Sequence, residues 1–445
     1  GVTQPRRLLL IHKRAPGDTV VMTGLVRDIA LTHPGQFEVA VDTTFPAAWE
    51  NNPYVVPFKE LRERGPVEQI KLTYGKGIRD QNHETVHFLS YFHRDFEVQA
   101  RVRVPLNLPY PDLHLSPEEL AVPLVNGRYW VFLSGGKSDF TAKVWGADSW
   151  RQLIARLTAL GLPCVQLGGT DRGHWHPEIP GALNLVGRTG PRDWLRLIAH
   201  ADGVICGVTG AMHIAAALQR PCVVLAGGRE AWWWEAYTRE NRGLGGESVA
   251  QALSVPHRYL HTIGLLDCCQ RHGCWKNKVV PLNDDPSLCK YPIVTPGQAV
   301  PKCLEMITPD HVVEAVMSYY EDKTLPPIKS LENVVRYRLE TESPVPPPAL
   351  NPAATFERET PGVANTQPPT ASPDSDVFDH PPIGGKFTVF VFLAGDAQYH
   401  ALHMRCLNAI ISTCPPGRIE LRVGSSALCE DCLLYTSPSP RDQRG

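Results

Sequence analysis

An α/β fold of two doubly wound, Rossmann-like domains facing each other across a cleft is what this sequence predicts. Short apolar runs alternate with amphipathic segments of helical period from about residue 6 to residue 325. Several of those runs end in turns rich in Gly or Ser that open a helix, the arrangement that presents a ligand at the carboxyl end of a strand. At 445 residues, the chain exceeds what one core usually serves, so two or three domains are expected.

The first domain, 1–124, opens with an apolar strand at 7–12, a polar turn from Lys13 to Asp18, a helix at about 19–32 and a second strand at 37–42. A dinucleotide fingerprint is absent, because no Gly-x-Gly-x-x-Gly follows the first strand. Residues 51–103 alternate without recognisable chemistry; His83, His87 and His93 lack ligand spacing and read as helix-face packing. Ser116 with Glu119 forms a capping box ahead of a short helix that leads to the second domain.

The second domain, 125–325, begins with a buried strand at 129–133 ending in Ser134-Gly-Gly-Lys137. This is not a P-loop, which would need Gly where Val131 stands. A helix at 150–160, a strand at 163–168 and a helix at 192–201 continue the rhythm. The richest stretch, 203–228, reads as a strand, a Thr209-Gly210 turn, an Ala-rich helix at 211–218 that stops before Pro221, and a strand at 222–226 buried on both faces. Free N–H groups at such a helix start favour a phosphate, and His213 lies in the first turn. A closing helix at 308–320 has Thr308 as N-cap and Pro309 at its first position.

Composition narrows the function. A formal net charge of −2 argues against nucleic acid as a partner. No apolar run reaches the length of a membrane span, and no signal peptide is read at the start. Opening on Gly1 is expected of a fragment or a processed chain. Of the 12 cysteines, Cys164, Cys206 and Cys222 fall in core strands, whereas five crowd between Cys268 and Cys303. Without a marker of secretion, a metal site is a better reading of that cluster than a disulfide framework.

The pattern Thr209-Gly210-x-x-His213 followed by Ala-Ala resembles the signature of glycosyltransferase family 9, the heptosyltransferase type, with Val208 where the family has Asp. Two further elements agree: Lys143-x-Trp145 after the first strand of the second domain, and Gly17-Asp18 before the first helix. The resemblance covers about 6–325. It implies a GT-B fold and an inverting transfer of a sugar, heptose or related, from a nucleotide diphosphate donor, ADP-linked by preference. The acceptor would be a hydroxyl of a cell-envelope glycan or protein. Asp18 is the implied base, a role for which a carboxylate at a cleft mouth suits; capping the following helix is its bland alternative. Lys143, Ser134, Gly135, Thr209, Gly210 and His213 are the implied donor-binding residues, the Lys stabilising the diphosphate as it leaves. No catalytic Mg is expected. The resemblance also implies a cytoplasmic enzyme with no integral membrane segment, compatible with peripheral membrane contact and with homo-oligomers. Two alternatives stay open: a catalytically silent nucleotide-sugar-binding protein, which Val208 favours, and a nucleotide-sugar epimerase, which shares the two-domain architecture.

Four thiols can converge on a tetrahedral soft-metal site. The insertion at 265–305 resembles the four-cysteine insertion of autotransporter heptosyltransferases, which implies structural iron or zinc at Cys269, Cys274, Cys289 and Cys303. Four residues separate Cys269 from Cys274 instead of the usual two, so Cys268 could replace Cys269. The three tryptophans at 232–234 read as buried packing, with ligand stacking as the alternative.

Residues 326–383 are Pro-rich and read as a disordered linker. A strand at 386–393, a helix at about 399–412 and a strand at 419–423 resemble the start of a GT-A transferase, a truncated α/β piece spanning 384–431. Residues 432–445 read as adapter-derived, so Cys429 and Cys432 carry no metal expectation.

Overall fold

The computed structural model describes residues 4–74, 81–171, 173–280, 287–295 and 297–327, and the backbone of 387–393 and 419–425. The chain divides into two compact units, Gly1–Thr370 and Ala371–Gly445. The first opens with β1 (Arg6–His12), α1 (Pro16–Thr32), β2 (Phe37–Thr43), α2 (Phe58–Glu63), β3 (Glu68–Lys71), α3 (Phe88–Ala100) and α4 (Pro117–Ala121). The three strands make a parallel sheet in the order β2-β1-β3. Leu8 and Leu10 face one side of β1 and Leu9 the other, all buried, as a central parallel strand demands. Helix α1 starts at Pro16, earlier than the expected residue 19, because Pro tolerates the first helical position. Gly17 and Asp18 therefore lie inside its first turn. Its residues from Thr19 to Ile29 are buried without a break, the mark of a helix packed on all sides.

The larger sheet is built from β4 (Trp130–Phe132), β5 (Gly136–Lys137), α5 (Ala147–Ala159), β6 (Cys164–Gln166), β7 (His174–Trp175), β8 (Leu183–Asn184), α6 (Pro191–His200), β9 (Gly203–Gly207), α7 (Gly210–Ala217), β10 (Cys222–Gly227), α8 (Trp232–Glu235), α9 (Glu247–Gln251) and β11 (Arg258–His261). Six of these strands are parallel in the order β11-β10-β9-β4-β6-β8, while β5 and β7 form a small antiparallel pair. The winding direction reverses between β4 and β9, and the crevice beyond their carboxyl ends is where an open α/β sheet binds ligands. Alternation along β4 sends Trp130 and Phe132 into the core with α5, and Val131 into the core with α6 and α7. That second core continues without interruption to Leu8, Val20 and Leu25 of the first sheet.

The remainder contains a hairpin of β12 (Pro292–Thr295) and β13 (Gln298–Pro301), then α10 (Lys302–Glu305) and α11 (Pro309–Glu321). Thr308 caps α11 and Ser116 caps α4, as expected, and at Thr308 the structure adds His311 to complete a capping box like that of Ser116 with Glu119. Cys164, Cys206 and Cys222 are buried in the strands. In the second unit, β14 (Phe387–Leu393) and β15 (Ile419–Ser425) pair in parallel, the pairing of a βαβ unit. The expected helix at 399–412, Cys429, Cys432, the segment 432–445 and all but the first two residues of the expected linker lie outside the described residues. Among the described residues, no helix is long and apolar enough to cross a membrane.

Candidate active site at the junction of two helix starts

At the reversal point, β9 ends on Gly207, where a Cβ would lie 2.9 Å from the Lys143 carbonyl oxygen; glycine lets the 138–143 segment cross the strand end. Thr209 is the N-cap residue of α7, in extended conformation, yet its hydroxyl caps nothing. That Oγ1 is buried with no hydrogen-bond partner among the described residues. An orphan hydroxyl beside the free N–H groups of a helix start is a ready anion site.

Lys143 reaches the same corner. Its Nζ lies 2.6 Å from Oε1 of Glu230 and 3.4 Å from the Val208 carbonyl oxygen. Glu230 is buried and is also paired with Arg229. Arg229 donates in turn to the Lys276 carbonyl at 2.6 Å and to the Asn277 amide oxygen at 2.6 Å, with Phe140 and Trp275 rings beside it. Burial pushes the Glu230 carboxyl up, but Lys143 and Arg229 outweigh it and hold it below its usual range. Glu235 shows the opposite balance: burial and the Glu230 charge push it up to about 8.

Asp18 approaches from the other sheet. Its Oδ2 accepts from the Tyr74 hydroxyl at 2.5 Å and lies 3.4 Å from Nε2 of His12, whose Nδ1 is 2.8 Å from the Leu72 carbonyl oxygen. Ala15, not Asp18, is the N-cap of α1, so the carboxylate does not cap its own helix. Arg14 stacks over the Tyr74 ring at 4.7 Å. Burial, followed by the Asp18 charge, raises the Tyr74 phenol and keeps it a donor.

Glycine brings the two groups together. A Cβ on Gly17 would sit 3.0 Å from the Gly210 Cα, and one on Gly210 would sit 3.3 Å from the Gly17 Cα. Helices α1 and α7 thus meet start to start, backbone against backbone, with positive dipole ends converging. His213, 4% exposed, lies beneath this contact, with Nδ1 2.8 Å from the Tyr237 hydroxyl.

Asp18, Lys143, Thr209, Gly210 and His213 are therefore drawn to one junction. Ser134 and Gly135 stand apart from it with their polar groups already paired. The Ser134 hydroxyl donates to the Pro177 carbonyl and accepts from Gln166, and the Gly135 N–H bonds His176. Sequence reasoning missed Tyr74, Glu230, Glu235 and Tyr237. Glu230 had a readable signal, a carboxylate just past the end of a parallel strand neighbouring the Thr209 strand. Tyr74 had none, since it lies in the stretch without motif.

The cysteines occupy a second place. One cavity is lined by Cys268, Cys274, Cys289 and Cys303, with Arg229, Lys290 and Tyr291 among its other walls. Cys269 turns away, donating to the Thr262 carbonyl at 3.6 Å, with its sulfur 2.6 Å from where a Gly228 Cβ would sit. Burial raises each lining thiol, Cys268 to about 11 and Cys303 to about 12. Among the described residues, no group of three His, Cys, Asp or Glu side chains is gathered for a metal ion. Of the three tryptophans, Trp234 is buried and stacks on Phe88 at 5.1 Å, while Trp232 and Trp233 are half-buried.

Residues 86–256, which carry Lys143 and the Thr209 turn, match the family model of glycosyltransferase family 9 (heptosyltransferase). By that match the chain is a glycosyltransferase. No curated protein matches the sequence. Solved structures do resemble it. The glycosyl transferase family 9 protein from Veillonella parvula is 11% identical, with 71% of this chain and 97% of that one covered, at a TM-score of 0.46. ADP-heptose LPS heptosyltransferase II of E. coli is 16% identical, with 72% and 100% covered, at 0.46. The dodecameric iron-containing heptosyltransferase TibC from enterotoxigenic E. coli, solved with ADP-D-β-D-heptose, is 18% identical, with 72% and 77% covered, at 0.45.

Proposed function

We propose that this glycosyltransferase is an inverting enzyme of GT-B type, its first domain at 1–124 taking the acceptor and its second at 125–325 the nucleotide diphosphate sugar. One observation supports the reading: the Gly17–Gly210 contact brings the first turn of α1, which carries Asp18, to the helix start that holds Thr209 and lies beside Lys143. The N–H groups of α7, the orphan Thr209 hydroxyl and Lys143 bind the diphosphate, with an ADP-linked heptose or related sugar as the first donor to test. Asp18, oriented by Tyr74 and His12, takes the proton from the acceptor hydroxyl. That oxygen attacks the anomeric carbon from the opposite face, the bond to the diphosphate oxygen breaks, and its electron pair leaves on the diphosphate. No residue forms a covalent intermediate, and no catalytic Mg is required.

Glu230 is the carboxylate beside Lys143 in a chain that has Val208 at the motif position. Donor phosphates would share Lys143 with it. The cavity of Cys268, Cys274, Cys289 and Cys303 offers four soft donors to a structural iron or zinc, with Cys268 in place of Cys269. The acceptor is a cell-envelope glycan or a protein, met in the cytoplasm where such donors are made, with homo-oligomer formation and peripheral membrane contact compatible with the fold.

The test incubates the full chain with ADP-, GDP- and UDP-sugars and follows nucleoside diphosphate release with and without acceptor glycans and proteins. Acceptor-dependent release, with the product inverted at the anomeric carbon, is expected. Epimerised donor, or release indifferent to every acceptor, would contradict the transferase reading.

A further inference from the structure

Tyr237 is fully buried, and its hydroxyl lies 2.8 Å from Nδ1 of His213, the rings meeting edge to face at 84°. No other hydrogen-bond partner for that hydroxyl occurs among the described residues, so the phenol proton has one acceptor available. A phenol that donates to Nδ1 leaves the imidazole proton on Nε2. The carbon next to Nε2, Cδ2, lies 3.3 Å from the position of a Cβ on Gly17, so that edge of the ring faces the first turn of α1. No described residue pairs with Nε2.

We propose that Tyr237 is a positioning residue that fixes His213 as its Nε2–H tautomer, so that a neutral imidazole donates a hydrogen bond to an oxygen of the ligand bound at the α1–α7 junction. The ligand class, a nucleoside diphosphate, rests on the transferase reading above; the tautomer does not. The surroundings favour a neutral ring. Burial, then His87, His257 and Lys143 nearby, lowers His213 well below the usual histidine range. Burial and Glu235 raise the Tyr237 phenol. A neutral donor stabilises the charge that develops on a leaving phosphate without exchanging a proton with it. The rings of His87 and His257 pack against that of Tyr237, 4.7 Å and 5.3 Å away centre to centre.

The experiment labels the histidines of the full chain with nitrogen-15 and records long-range proton–nitrogen correlations, His213 being assigned by its loss in His213→Gln. The expected pattern is an unprotonated Nδ1 and a protonated Nε2, which in Tyr237→Phe changes to a mixture of tautomers. An Nδ1–H pattern in the unmutated protein, or an unchanged pattern in Tyr237→Phe, overturns the proposal. If Tyr237→Phe does not fold, the pattern of the unmutated protein decides alone. ADP titrated into both proteins tests the ligand: its Kd should rise up to about tenfold in Tyr237→Phe, with the His213 Nε2 signal moving on binding. ADP that binds neither protein while the tautomer is as expected refutes the donor-site reading and leaves the positioning role standing.

Discussion

Arg229 pairs with Glu230 at the helix junction and also lines the cysteine cavity, and the two regions treat their polar groups in opposite ways. At the junction, opposite charges are already neighbours: Lys143 and Arg229 bracket Glu230, while Tyr74 and His12 hold Asp18. At the cavity, four thiols share one space and burial raises all of them. In the proposed reading, the first region serves an exchange in which a ligand takes over partners that the protein already supplies. The second is an inert thiol pocket unless a soft cation enters it. Segment 274–279 joins them: Trp275 N–H donates to the Arg229 carbonyl, Ala142 N–H to the Asn277 carbonyl, and Val279 N–H to the Thr141 hydroxyl. The cysteine loop therefore buttresses both strands of chain that carry Lys143 and Glu230.

The largest effect is expected from breaking the junction. Gly17→Val puts a branched side chain 3.0 Å from backbone atoms of Gly210 that cannot yield. Turnover should fall more than about 100-fold, as for other misplacements of reacting groups, in a protein whose melting temperature shows it still folded. Activity within a fewfold of the unmutated enzyme would mean that the two helix starts need not meet.

An intermediate effect probes the buried carboxylates. Glu235 is pushed from its usual 4.5 up to about 8 by burial and then by Glu230. Between those pH values the folded state keeps a proton that the unfolded state releases, so stability falls as pH rises and levels off above about 8. Glu235→Gln lacks that loss. Its melting temperature, compared with the unmutated protein, should gain ground from pH 5 to pH 8.5; parallel curves would show that Glu235 is ionised throughout.

The smallest effect on catalysis should come from the cavity. Cys268→Ser should reduce iron or zinc retained on purification and lower the melting temperature, whereas Cys269→Ser should leave metal content unchanged. The reverse ranking would restore Cys269 as the ligand.

Much of this was legible in the chain. The α/β alternation and the Thr209 turn could be read because each rests on local pattern, a strand, a turn residue and a helix start in sequence, whereas Lys143 and Asp18 were singled out by the family resemblance. The Ser116 capping box and the Thr308 N-cap were legible from local pattern too. What the chain hid is what tertiary approach creates. Pro16 moved the start of α1 back and placed Gly17 at the contact, a position whose meaning depends on Gly210, far along the chain. Tyr74 meets Asp18 only because β3 lies beside β1. Ser134, a donor residue by the resemblance, has its hydroxyl paired with Gln166 and Pro177, a pairing that only the fold reveals. Cys268 and Cys269 are adjacent, and only the fold of the loop turns one sulfur into the cavity and the other toward Thr262.

In the proposed mechanism, binding and proton removal are divided between two sheets that meet at one point. The direct measurement compares donor affinity and acceptor-dependent turnover in Asp18→Asn and Lys143→Ala. Asp18→Asn should bind the donor within about twofold of the unmutated enzyme yet lose about 100-fold or more in turnover, while Lys143→Ala should lose donor affinity as well. Turnover retained in Asp18→Asn, or donor binding indifferent to Lys143, would contradict the account.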